Sequence, residues 1–531
     1  MLRIFLQQVR RDRLTLPIWI VGTALLLTVA ANSVVGEYGD AEGRAQILTI
    51  ALATPALLAL RGIPNGDSLG SAVHFQSFAF LAVTIGLMNV FLATRHGRAD
   101  EEKGRRELLL ATPISRLSPL LATLLLGVIA NGLFGVLAAG GYVSVGLDAS
   151  GAILSATALT VTGLAFLGLT MIAGELTATS RAANGVGVVI VLAAYALRSA
   201  GDALGTADVA KLTLTPAWPS WLTPIGWGQQ TLAFTDDVWW PVAPILGLAV
   251  VSVAVALVIH SRRELSASLL PERSGRATAR ASLGSMFGLA WRLQWPTVVA
   301  WAGGAALLGL ALGSLVTAIS GIDNPQIEAI LESIGHTGKA ELAQSLIAAL
   351  MVLVGVIAAA AGVQAVLRMR DEESEGRAEA VLTTPHSRGG WLLSSTAVAG
   401  VSVLVVLVAT GVASAIGFAA VGESDSGWLA LGQAIVQAPA ALTFVGLTAL
   451  LVGLLPRAAV ALGWDLFEIG VGIGLFGGLL GISEDAQKVS PFVNVPALPT
   501  DDWVPTIVLG VIAVGLAVLG AFALRRRDLV T

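Results

Sequence analysis

The chain contains no cysteine, so it has neither a disulfide framework nor a thiolate metal site. Its five histidines, His74, His96, His260, His336 and His386, are too scattered to make a metal-ligand motif. Charge is scarce: Asp, Glu, Lys and Arg make up 12% of the 531 residues, against about 25% in soluble domains. That leaves no room for a large soluble domain and gives no support to nucleic-acid binding. A Gly-x-x-x-x-Gly-Lys-Ser/Thr phosphate loop is also missing, since Gly335-His-Thr-Gly-Lys339 has the wrong spacing. The chain therefore has no means of hydrolysing ATP by that route. What abounds is apolar: 55% of residues are hydrophobic and the mean hydropathy is +0.81.

A helix needs about 20 apolar residues to cross the hydrocarbon core. Such runs recur near 14–35, 75–94, 117–142, 150–174, 182–201, 239–260, 297–319, 343–367, 391–420, 428–454, 457–480 and 503–524. The expected fold is an all-α polytopic membrane protein of about twelve spans. The first run is too long for a signal-peptide core and reads as a retained span. Of the 31 Lys and Arg, 25 fall in one set of alternate loops and the termini, which places both termini in the cytoplasm. The apolar stretch Ile47 to Leu60 is short for a span and reads as an interfacial or re-entrant piece on the outer side. Gln326 to Leu342, with Ile327, Ile330, Leu331 and Ile334 at helical spacing, reads as its surface-lying counterpart.

Self-comparison exposes a repeat. The segment Glu101-Glu-Lys-Gly-Arg-Arg-Glu107, followed by Thr112-Pro-Ile-Ser-Arg116, returns as Glu373-Ser-Glu-Gly-Arg-Ala-Glu379 and Thr384-Pro-His-Ser-Arg388, at an offset of 272 residues. Arg10 to Leu26 likewise matches Arg292 to Leu308, including Trp19 and Trp301. Two parallel six-helix halves follow, 1–260 and 286–531, joined by an Arg-, Ser- and Ala-rich cytoplasmic linker over 261–285. Each repeated segment reads as a short helix along the membrane surface. Acids at its start suit the helix dipole, the glycine lies within it, and Thr-Pro ends it. Its carboxylates are expected to face out and its leucines and valines to face the membrane or a partner groove.

These residues resemble the ABC type-2 permeases, and most closely the twelve-span permeases of polyketide-antibiotic and multidrug exporters. The resemblance covers nearly the full chain. It implies an elbow helix before the first span and a coupling helix, between spans two and three, that docks on a separate ATPase. Residues that fit the coupling pattern are Glu101, Glu102, Gly104, Glu107, Thr112, Pro113, Ser115 and Arg116, with Glu373, Gly376, Glu379, Thr384, Pro385, Ser387 and Arg388 in the second half. Ser374 stands where the first half has Glu102. Leu222-Thr-Pro-Ile-Gly-Trp227 and Ser490-Pro-Phe492 are similar too. The implied machine is an exporter of hydrophobic or amphipathic compounds in the bacterial cytoplasmic membrane. Two copies of the ATPase, which would carry ATP and magnesium, serve one fused permease that holds no cofactor and is not itself an enzyme. A major-facilitator-type transporter shares the parallel halves, but its short Asp-Arg-x-Gly-Arg-Arg loop differs from the longer acidic one here.

Three further features lie outside the coupling segments, and of them the family pattern does not include Asp465 and Glu468. Asp465 and Glu468 lie three apart inside the eleventh run, and acids within a span point to a substrate or proton path. Arg198 and Asp202, four apart, suit an ion pair on one helix face. Trp218, Trp221, Trp227, Trp239 and Trp240 crowd the loop before the sixth run, as expected of a membrane-interface belt.

Overall fold

The computed structural model describes residues 1–37, 40–263, 269, 278–320, 339–477 and 482–527. The chain forms two compact units, Met1–Gly275 and Arg276–Thr531. Both are built almost wholly of helix, because a backbone in hydrocarbon must satisfy its own N–H and C=O groups. Among the described residues, eleven helices are long and apolar enough to cross a membrane.

In the first unit a short helix, α1 (Leu2–Arg11), precedes α2 (Thr15–Glu37). Two short pieces follow, α3 (Ala41–Ala53) and α4 (Pro55–Arg61), broken where Pro55 removes a donor. This broken helix occupies the Ile47 to Leu60 stretch, and Leu48, Ala51, Leu52 and Leu58 bury themselves with Ile63, Phe75 and Leu214. Next come α5 (Leu69–His96), the loop helices α6 (Arg98–Glu102) and α7 (Arg105–Leu110), then α8 (Ser118–Ser144), α9 (Ala149–Leu176) and α10 (Ser180–Ala203). Side chains of Ser68, Asp148 and Thr179 cap α5, α9 and α10 by accepting from backbone N–H groups two or three residues on. A two-stranded hairpin, Thr206–Asp208 with Thr213–Thr215, leads to α11 (Pro224–Gln229) and α12 (Val242–Arg262).

The centre of this unit is α5 against α9. A reciprocal amide pair joins α5 to α8: Asn89 Nδ2 donates to Asn131 Oδ1 at 3.0 Å and Asn131 Nδ2 returns to Asn89 Oδ1 at 2.8 Å. Both are fully buried, and a Cβ on Gly163 of α9 would stand 2.1 Å from Asn131 Oδ1. Only glycine lets α9 close over that pair.

The second unit opens with α13 (Met286–Ser320), which runs unbroken through Pro296, where the first unit separates α1 from α2. It continues through α14 (Lys339–Ser374), α15 (Arg377–Leu382) and α16 (Arg388–Ala420). The stretch expected as one span over 428–454 lies in one candidate span, Ser424–Leu454, made of α17 (Ser424–Val436) and α18 (Ala438–Leu454), which meet at Gln437, where Pro439 lacks the N–H that would bond four residues back. Then follow α19 (Ala459–Phe476), α20 (Glu484–Gln487) and α21 (Val504–Arg526). The eleventh expected span corresponds to the 18-residue α19, and residues 478–481 beyond it lie outside the described set. So does most of the expected surface helix over 326–342, up to residue 338.

Helices α18 and α21 meet backbone to backbone. A Cβ on Gly446 would lie 2.3 Å from the Ala513 carbonyl oxygen, and one on Gly453 would lie 2.3 Å from that of Gly520. Such small-residue contacts are how helices associate tightly in lipid. They bring the C-terminal end of α21 beside that of α18.

Candidate functional site

Gly104 does not lie within a helix; it divides the repeated segment in two. At φ +66° it is left-handed, α6 ends before it, and α7 starts after it. Gly376 does the same at φ +73° between α14 and α15. Neither glycine has an atom within 4 Å of where a Cβ would sit, so the backbone angle, not space, requires glycine. Thr-Pro then stops each short helix. The Thr112 and Thr384 hydroxyls donate to the carbonyls of Leu109 and Val381, at 2.6 and 2.5 Å, and Pro113 and Pro385 are exposed.

The acids of the two segments divide between inside and outside. Glu101 is 5% exposed and Glu373 1%, so the expectation that the leading carboxylates face out is corrected for these two. Each is buried because an arginine from the far end of its own unit reaches it. Arg263, just past α12, gives both Glu101 oxygens an Nη2 bond at 2.7 and 2.8 Å, and Arg527, just past α21, gives Glu373 bonds of 2.6 and 2.9 Å. The same arginines accept at their main chain. Arg116 donates to the Arg263 carbonyl at 2.7 Å, and Arg388 to the Arg527 carbonyl at 2.5 Å. Within each segment Arg98 and Arg370 complete the clamp, on Glu101 at 2.8 Å and Glu373 at 3.3 Å. Buried charges persist only when paired in this manner.

The first unit adds more bonds. Arg106 also pairs with Glu101. His260 bridges Glu175 (2.9 Å) and the Arg116 carbonyl (3.2 Å), while Arg263 Nε reaches Glu175 at 2.7 Å. Glu102 is exposed but accepts from the Ser180 N–H at 2.9 Å, holding the start of α10. From the other side α1 is tied in, by Arg11 to Asp100 at 2.7 Å and by Asp12 to His96 at 2.6 Å. Burial alone would raise the Asp12 carboxyl, but the His96 hydrogen bond and the charges of His96, Arg95 and Arg11 outweigh it and hold it below its ordinary value of 3.8. The second unit makes its clamp more simply, with Arg527 reaching the carbonyls of Gly453 and Val452 at the end of α18, both at 3.2 Å.

What stays outside is Glu107 and Glu379, together with Leu108, which is 76% exposed, and the Thr-Pro corners. Each segment thus presents a short helix and its acid outward while being bolted inward through Glu101 or Glu373. The arginines doing the bolting, Arg263 and Arg527, and their helpers Arg98 and Arg370, are the residues the sequence reading missed. The available signal was that basic residues follow directly on the last apolar run of both halves.

Asp465 and Glu468 are both exposed on α19, and neither has a hydrogen-bond or ion-pair partner among the described residues. They point away from their own unit's core, whereas Phe467 between them is buried. Arg198 and Asp202 pair at 3.1 Å with both side chains fully buried. Arg198 also caps the Leu58 and Leu60 carbonyls of α4 at 3.4 Å, and Ser220 donates to Asp202 at 2.5 Å. This pair anchors the broken helix. Of the five tryptophans, Trp218, Trp239 and Trp240 are exposed, with Trp240 stacked on Trp221 at 5.7 Å.

Helices this long and apolar, with most of the charge in loops and at helix ends, make the chain a multi-pass membrane protein. A family model described as the multidrug efflux system permease Rv1217c, C-terminal domain, matches residues 283–525. The chain is also 33% identical, over 99% of its own length and 94% of the relative's, to the multidrug efflux system permease protein Rv1217c of Mycobacterium tuberculosis. The chain belongs to this family of efflux-system permeases, as the likeness to ABC type-2 permeases anticipated.

Proposed function

We propose that the chain is the membrane-spanning subunit of an ATP-driven exporter that moves hydrophobic or amphipathic, drug-like compounds out of a bacterial cell. It has twelve spans in two parallel halves with both termini cytoplasmic, and two copies of a separate ATPase subunit, carrying ATP and magnesium, dock on 101–116 and 373–388. The observation that carries this reading is the doubled clamp: in each unit the segment is fixed to the end of the last long helix through Glu101–Arg263 or Glu373–Arg527. A force applied at Glu107 or Glu379 is thereby passed to a membrane helix instead of being lost in a pliant loop. The multidrug efflux assignment of the Mycobacterium tuberculosis relative supports the substrate class.

Asp465 and Glu468 belong, on this reading, to the substrate path. Exposed carboxylates on an apolar helix are costly against lipid and favourable against water or a cation. The test is co-purification of the tagged chain with an ATPase subunit, followed by ATP-dependent transport in proteoliposomes. Two ATPase copies per chain and ATP-dependent dye movement are expected. Full transport driven by an ion gradient with no ATPase present would overturn the proposal in favour of a facilitator.

A further inference from the structure

In each unit a cavity lies between the lead-in helix and the short helix after the glycine. In the first unit it measures about 340 Å³ and is lined by α1 and by the 96–119 segment; in the second it measures about 50 Å³, lined by the start of α13 and by 368–395. The two correspond position by position, with segment residues 272 apart, as in the repeat, and lead-in residues 282 apart. Their linings nevertheless differ in kind. Where the first has Gln8, Arg11 and Arg106, the second has Ala290, Leu293 and Ala378; only at His96 and Arg368 does the second gain a cation.

The first cavity is therefore the larger and is lined by Arg11, Arg105 and Arg106 against Asp100, whereas the second is much smaller and is lined by Arg368 and Arg377 against Glu372. Around the first, Arg11 and Arg105 pair with Asp100, and Arg106 pairs with Glu101. Arg106 is 2% exposed, yet its Nε and Nη2, like Nδ1 of His96, have no hydrogen-bond partner among the described residues. Buried donors of that kind are costly unless an acceptor completes them. The rim is apolar: Ile4, Leu108 and Leu109 line the cavity, and the neighbouring Leu2 and Leu6 of α1 are exposed. That combination of unsatisfied guanidinium donors and a greasy rim suits a ligand with a phosphate and hydrocarbon chains.

We propose that the first unit's cavity binds the headgroup of an anionic phospholipid, with Arg11 and Arg106 on the phosphate, and that the second unit's does not. Lipid then acts as a wedge between α1 and one of the two segments. The inference rests on the proposed cytoplasmic position of the 101–116 segment, but no step of it depends on an ATPase.

The test is native mass spectrometry of the delipidated full-length chain, titrated separately with phosphatidylglycerol, phosphatidylcholine and inorganic phosphate. One tight phosphatidylglycerol site is expected. It should weaken about fivefold in R11L and about twenty-fivefold in R11L/R106A, at roughly 1 kcal/mol for each arginine near a membrane surface. R377A, in the second cavity, should leave it unchanged. R11L lies outside the Glu101 clamp, so it remains informative if the double variant folds poorly. Equal binding by R11L and wild type would overturn the proposal. So would equal affinity for phosphatidylcholine, displacement by inorganic phosphate at matching concentration, or loss of the lipid whenever an ATPase subunit co-purifies.

Discussion

Glu101 and Glu107 are six residues apart and have the same chemistry, yet the structure gives them opposite tasks. Glu101 is buried under three guanidiniums, from Arg98, Arg106 and Arg263, while Glu107 is exposed. Removing a buried partner strands the others, at a cost of about 3–5 kcal/mol. E101A and E373A are therefore expected to lower the thermal stability of the purified chain strongly, whereas E107K and E379K leave it unchanged, as a melting curve in detergent reports. Asp12 gives the pH counterpart. Its carboxyl is depressed in the fold, so its stabilisation is complete above the ordinary value of 3.8 and is lost as pH falls further through the folded value. Hydrogen-exchange protection in α1, taken relative to the intrinsic rate at each pH, should hold from neutral pH down to about 4 and fall below that. In D12N that protection should be low already at neutral pH and unchanged by acid. A fall already between pH 7 and 6 would contradict the assignment.

At the scale of elements, the left-handed glycine that starts each short helix is the unit of interest. Gly104 and Gly376 hold φ values that cost an L-residue about 1–2 kcal/mol. G104V and G376V should therefore loosen the segment, seen as faster trypsin cleavage at Arg105 and Arg377, while G104N is tolerated better because asparagine visits that conformation. The long apolar helices were legible from composition, since hydropathy depends on nothing remote. The glycine break was half legible: the repeat singled out Gly104 and Gly376, but a helix and a helix-turn-helix share that spacing. The burial of Glu101 was not legible, because Arg263 is 162 residues away in sequence and only the closure of α12 onto α9 brings it home. The run from 428 to 454 was legible as one span, Ser424–Leu454; the interruption at Gln437 was not, because it comes only from the N–H that Pro439 lacks.

The whole molecule combines resemblance with inequality. Both units clamp a segment to their last long helix, but the first does so with His260, Glu175, Arg106 and a bond from Ser180 to Glu102, and the second with Arg527 and two carbonyls of α18. Ser374 has no carboxylate to offer where Glu102 holds α10, so the first segment is the more rigidly held. Single reversals should accordingly be unequal, with E107K costing more transport than E379K when each is assayed as ATP-dependent dye uptake. The exposed Asp465 and Glu468 exist in the second unit alone, and D465N/E468Q should reduce transport of cationic dyes while leaving neutral ones unaffected.

The central claim is that the two segments pass work from an ATPase to the membrane helices. It is tested most directly by measuring ATP hydrolysis and dye transport together, in proteoliposomes holding the E107K/E379K double variant and its co-purified ATPase. The account predicts continued hydrolysis with transport lost. Transport at the wild-type rate would contradict it.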